Sequence, residues 1–169
     1  MTRRGAYPGS FNPLTIAHLE IARLAREAHH LDRIDLVVST VALDKPAPPG
    51  PSVDERIALI EADIADFDWL DVRLTEEQLV VDIASGYDVV IMGADKWEQV
   101  NDVRYYGSVE ARDSALAHLP TVAVAPRAGT EAADEIALPL TEEMQGVSSS
   151  KARAGRRDHM APEAARRWK

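Results

Sequence analysis

The sequence predicts an α/β fold, a Rossmann-like open parallel sheet of about five strands with helices on both faces. Two observations carry this reading. Short β-rich runs alternate with longer helical patterns along the 169 residues, which is the order a parallel sheet covered by helices produces. The runs DVVIMG (Asp88–Gly93) and TVAVA (Thr121–Ala125) are almost continuously apolar, as suits strands buried on both faces.

Taken in order, the first expected strand is Arg4–Pro8. It is the least regular, because Arg3 and Arg4 stand where a central strand is normally apolar. A helix follows, marked by Ile16, Leu19, Ile21, Leu24 and Ala28 at nearly helical spacing, and His29-His30 suits its carboxyl end. The second strand is Arg33–Thr40 (RIDLVVST). The segment Asp44–Ser52 (DKPAPPGPS) holds four prolines and a glycine, so it reads as a semi-rigid loop. Ile57, Leu59, Ile60 and Ile64 then mark a helix after Ser52 and Asp54, and strands follow at Leu70–Leu74, Asp88–Gly93 and Thr121–Ala125. The length and the 46% hydrophobic content fit one domain over residues 1–169, with the helical segment 148–169 belonging to it.

Composition narrows the function classes. There is no cysteine, so a disulfide framework and a thiolate zinc site are excluded, in agreement with a reducing, cytoplasmic setting. The start, MTRRGAYPGS, has no apolar signal region, and no run approaches the ~20 apolar residues of a membrane helix. A net charge of −9 argues against a general nucleic-acid binder. Basic residues gather near the end, from Lys151 and Arg153 to Arg166, Arg167 and Lys169. Such a stretch is either a solvated face or a site for a small polyphosphate.

In open parallel sheets, ligands bind beyond the carboxyl ends of the strands. Three loops are expected there: Gly9–Thr15, Asp44–Ser52 and Gly93–Trp97. The richest segment is GSFNPLTIAH, Gly9–His18. Gly9 and Ser10 allow a close backbone turn, Asn12-Pro13 interrupts regular structure after Phe11, and Thr15 can open a helix whose N–H groups face an anion. Thr15 and His18, three apart, project from one face of the first turn. The pair is either a phosphate grip or an N-cap followed by a satisfied histidine. VSSSKAR, Val147–Arg153, offers three hydroxyls at a helix start (Ser148, Ser149 and Ser150) with Arg153 one turn in. On its own this is equally an ordinary cap. In DVVIMGADKW, Gly93 would let a ligand approach the backbone, Asp95 could accept ribose hydroxyls, and Trp97 could stack on a planar ring. Tyr105 or Tyr106 could fill the stacking role instead, and equally Asp95 could be an N-cap and Trp97 a core or helix-surface residue.

These segments carry a family resemblance. Gly9–His18 resembles the first signature of the HIGH-superfamily nucleotidyltransferases, in the GSFNP-x-T-x-x-H form of nicotinate and nicotinamide mononucleotide adenylyltransferases, with Ala17 in place of the usual Gly. Val147–Arg153 resembles the ISSTxIR element, and Asp88–Trp97 the strand-to-GxD segment. PTVAVAPRAG (Pro120–Gly129) and MAPEAARRW (Met160–Trp168) resemble the strand, turn and closing helix that complete the nucleotidyltransferase fold.

The resemblance implies in-line attack of an acceptor phosphate on the α-phosphorus of ATP, with release of pyrophosphate. It assigns His18 and Thr15 to the α- and β-phosphates, Ser148–Ser150 and Arg153 to the β- and γ-phosphates, and Lys45 to the acceptor or bridging phosphate. The expected reaction is adenylyl transfer to nicotinate or nicotinamide mononucleotide in NAD biosynthesis. ATP is then a co-substrate and small nucleotides are the partners. No spacing of His, Asp and Glu builds a metal site, so Mg2+ would arrive with ATP. The alternatives are a phosphopantetheine adenylyltransferase, expected to carry arginines just after the fourth strand where Gly93 and Asp95 stand, a CTP-dependent cytidylyltransferase, and, from another class, a catalytically weak nucleotide-binding regulatory module. The oligomeric state stays open, a homo-oligomer included.

Overall fold

The computed structural model describes residues 1–41 and 50–169. Five strands, β1 (Arg4–Pro8), β2 (Arg33–Ser39), β3 (Leu70–Thr75), β4 (Val89–Gly93) and β5 (Thr121–Ala125), form one sheet in the order β3-β2-β1-β4-β5. Every pairing is parallel, with Gly5 opposite Ile34 on one side and Val89 on the other. The chain winds outward from β1 through β2 to β3, then returns past β1 to add β4 and β5. The winding therefore reverses between β1 and β4, where such sheets leave a crevice.

The apolar strands divide their side chains between two cores, as the period of two dictates. Val89, Ile91, Ala123 and Ala125 join the larger cluster, together with Ile34, Leu36 and Val38 of β2. Val90, Met92 and Val124 join the second cluster on the opposite face. Helices α1 (Ile16–His29) and α2 (Val53–Ile64) cover the first face. Short α3 (Val80–Ile83) and α4 (Ala94–Asn101) cover the second. The buried stripe of α1 is Ala17, Ile21, Ala22 and Ala25, while Leu19 and Leu24 pack at its margin. The small alanines let the helix axis lie close to the sheet.

Arg4 does stand in a central strand, and its partners explain why this is tolerated. Its guanidinium pairs with Asp35 of β2, a buried carboxylate that also accepts the Tyr87 hydroxyl at 2.6 Å and faces Arg73 at 3.4 Å. Arg4 lies over the Tyr87 ring, 5.0 Å from its centre. A buried carboxylate supplied with this many donors avoids the cost of an unpaired charge.

The remaining elements are α5 (Val109–Ala117), α6 (Glu142–Gln145), α7 (Ser149–Arg153), α8 (Pro162–Arg167) and single 3-10 turns at Val103–Tyr105 and Arg157–His159. The stretch 148–169 is thus a series of short helices. Its last member is fixed from across the sequence, since buried Asp63 of α2 accepts the N–H groups of Glu163 (2.6 Å) and Ala164 (3.0 Å) at the start of α8. Among the described residues, no helix is long and apolar enough to cross a membrane.

Candidate active site

A cleft of about 610 Å³ opens at the carboxyl ends of β1, β4 and β5, on the switch point. Its floor is the start of the first motif. Phe11 adopts φ 44°, in the left-handed region that bulky residues avoid, and its buried ring packs edge-on to Tyr7 and His18, with centres 5.2 and 5.0 Å apart. The same ring accounts for Gly9, where a Cβ would come within 2.9 Å of it. From α2, Arg56 donates to the Ser10 carbonyl at 3.0 Å and holds the turn from below.

Thr15 and His18 meet as expected, but in a defined exchange. Thr15 is the N-cap of α1, and its Oγ1 accepts the His18 N–H at 3.2 Å. In return His18 Nδ1 accepts the Thr15 N–H at 3.0 Å, in the place a glutamate takes in the usual capping box. A backbone N–H can only donate, so Nδ1 is the acceptor and the neutral ring carries its proton on Nε2. Burial, with a contribution from the Arg127 charge, lowers the His18 pKa to about 4. At neutral pH the cleft therefore meets an uncharged Nε2–H donor oriented by the helix cap. Thr15, 1% exposed, is committed to holding that geometry.

The second motif folds back onto the first. Ser148 caps α7 by accepting the Lys151 N–H at 3.1 Å. Ser149 Oγ donates to the Pro13 carbonyl at 2.9 Å, and the Arg153 guanidinium donates to the Asn12 carbonyl and, at 3.4 Å, to Ser150 Oγ. Segments some 140 residues apart in sequence thus face one space, and Ser148, Ser149, Ser150 and Arg153 all line the cleft.

Gly93 and Asp95 line the β4 wall, and a Cβ at Gly93 would meet nothing within 4 Å. Helix α4 sorts the aromatic candidates by face. Asp95, Lys96 and Gln99 point to the cleft, whereas Ala94, Trp97 and Val100, at spacing three, belong to the second core. Trp97 is thus a packing residue in this fold and does not line the cleft. Tyr106 donates its hydroxyl to the Val100 carbonyl at 2.7 Å and also stays outside the lining. Tyr105 lines it, accepting the Gln99 amide at 3.2 Å, and Lys96 donates to the other end of that amide at 3.0 Å. Asn12 lies beneath the cleft, fully buried, and among the described residues neither of its side-chain polar atoms has a hydrogen-bond partner. Lys45 lies outside the described residues.

Sequence reasoning passed over Lys96, Gln99 and Arg127, and the apolar wall of Leu140 and Met144. Its position signals Arg127, which follows β5 at the same sheet edge as the three loops expected to bind ligand. The wall had no signal, because single apolar residues in a loop and a four-residue helix show no period.

Residues 6–155 match the profile of the family described as cytidylyltransferase-like. Among curated proteins, the phosphopantetheine adenylyltransferase of Latilactobacillus sakei is 35% identical over 126 residues, covering 72% of each chain. That of Nitratidesulfovibrio vulgaris is 35% identical over 101 residues, 59% of this chain and 50% of the relative. That of Roseobacter denitrificans is 34% identical over 97 residues, covering 54% and 55%. The chain spans about half the length of most of the curated relatives it matches. These relatives bear the name of the alternative acceptor, not of the mononucleotide enzymes. A five-stranded parallel sheet, a cleft at its switch point and a profile match over nearly the whole length agree: the chain belongs to the cytidylyltransferase-like family, of the HIGH-type nucleotidyltransferase superfamily.

Proposed function

We propose that the chain is an adenylyltransferase that moves AMP from ATP onto a phosphate-bearing acceptor and releases pyrophosphate. The observation that carries this reading is the His18 geometry: a neutral ring, locked through Nδ1 to the start of α1, offering Nε2–H to the cleft. An acceptor phosphate oxygen attacks the α-phosphorus as the bond to the pyrophosphate oxygen breaks. The acceptor is already anionic, so no general base is needed, and the protein's work is positioning and charge stabilisation. In this reading His18 serves the α-phosphate, while Ser148–Ser150 and Arg153 serve the departing phosphates. A magnesium ion carried in on the phosphates would neutralise the leaving charge.

For the acceptor we propose phosphopantetheine, the substrate named for the relatives. The expectation against it was the want of arginines just after the fourth strand. Positive charge in the cleft comes instead from Lys96, three residues beyond β4, and from Arg127 after β5. Nicotinate mononucleotide remains the second reading, favoured by the open backbone at Gly93 beside the Asp95 carboxylate.

The test is pyrophosphate release by purified protein with Mg-ATP or Mg-CTP against phosphopantetheine, nicotinate mononucleotide, nicotinamide mononucleotide and glycerol phosphate. Turnover with ATP and phosphopantetheine alone is the expected result. Turnover with a mononucleotide moves the chain to NAD synthesis, and a CTP requirement makes it a cytidylyltransferase. ATP binding with no turnover on any acceptor favours a regulatory module.

A further inference from the structure

The assignments above use the charges of Arg127 and Asp95 separately and leave the pairing between them unexplained. Arg127, two residues beyond β5, meets Asp95, in the first turn of α4, with Nη1 and Oδ2 3.4 Å apart. The two side chains are 43% and 57% exposed, and the contact is long. Wet, loose pairs of this kind are weak and exchange readily. Arg153 differs, because its guanidinium is fastened to the Asn12 carbonyl of the first motif. Arg127 and His18 line the same cleft, and the Arg127 charge is near enough to His18 to oppose protonation of its ring.

We propose that Arg127 is a phosphate-binding residue of this cleft, held by Asp95 until the phosphate that docks at His18 takes the place of the carboxylate. The inference rests on the reading that the cleft receives a nucleotide polyphosphate. It adds to that reading a cation from β5 and an exchange of partners. A guanidinium suits the exchange, since it is always charged and its fork fits carboxylate and phosphate oxygens alike. Once released, the Asp95 carboxylate can turn to a sugar hydroxyl.

The experiment is calorimetric titration of wild type, Arg127→Ala, Arg127→Lys, Asp95→Asn and the double variant with ATP, adenosine and tripolyphosphate. Arg127→Ala should weaken ATP and tripolyphosphate about tenfold, the loss of one charge-assisted hydrogen bond, and leave adenosine unchanged. Arg127→Lys should recover part of the loss. Tripolyphosphate has no sugar, so with it Asp95→Asn should tighten binding about threefold, and only while Arg127 is present. Removing Arg127 should also raise the His18 titration midpoint seen by NMR, which checks that the two groups share the cleft. Unchanged ATP binding in Arg127→Ala, or an Asp95→Asn effect independent of Arg127, overturns the proposal. Inert acceptors would remove the adenylyltransferase reading while these titrations still decide on Arg127. If the wild type binds neither ATP nor tripolyphosphate, both fall together.

Discussion

The two ends of the sheet each hold an Asp–Arg pair, and the pairs are built for opposite purposes. At the amino end, Asp35 is 3% exposed and is met by Arg4, Arg73 and the Tyr87 hydroxyl. At the carboxyl end, Asp95 is 57% exposed and meets Arg127 at 3.4 Å. Burial makes the difference. A carboxylate sealed among donors cannot lose one without leaving another unpaired, so its network is structural. A pair standing in water can be traded for a ligand at little cost. Charge within a fold thus says little about function until its exposure and its number of partners are known.

The largest effect that would test this contrast is on stability. Asp35→Ala strands the Tyr87 hydroxyl and Arg4, and because Arg4 is partly wet the loss should fall near the low end for a broken buried pair, about 3 kcal/mol. Urea unfolding measures it. A loss under about 1 kcal/mol would place the amino-end cluster with ordinary surface pairs.

Next in size is His18→Ala, which should lower kcat about a hundredfold or more, the usual result of removing one donor aimed at developing charge. If the folded variant turns over at the wild-type rate, His18 is only a helix-cap partner. The ring also makes a prediction about pH. Its folded value, about 4, lies below the ordinary 6.5. Between these values the unfolded chain binds the proton that the folded chain refuses. The His18 contribution to stability is therefore complete above pH 6.5 and falls as the solution is acidified towards 4. An NMR midpoint near 6.5 would contradict the burial that produces it.

A smaller change is expected from Ser149→Ala, which removes the hydroxyl that donates to Pro13. About 1 kcal/mol of stability should be lost, with a rise in KM for ATP as the two motifs drift apart. The smallest is Asp95→Asn, expected to shift stability by no more than about 0.5 kcal/mol. A larger loss would make the carboxyl-end pair structural and erase the contrast with Asp35.

Most of the fold was legible because it depends on local pattern. The five strands stand within a residue of their expected bounds, and the apolar runs of β4 and β5 are explained by cores on both faces. The irregular first strand was legible in position but not in cause, since nothing near Arg4 in sequence points to Asp35 or Tyr87. At the site, the two motifs do meet, and their residues line one cleft. Trp97 shows where the reading ran out. An aromatic residue four positions past a glycine turn looks the same on either face of a helix, and only the phase of α4 sends it to the core. Arg127 shows a different gap, a neglected loop at an edge already identified as functional.

The tie between Ser149 and Pro13 has a consequence for the making of the protein. A ribosome releases the loop of the first motif more than 130 residues before the serine that completes the cleft. The five strands can pair while the cleft still lacks its second wall, because β5 ends at Ala125. On the proposed reading, a nucleotide that needs both motifs cannot guide that early folding, and its stabilisation acts by mass action only once the second motif has docked on the first.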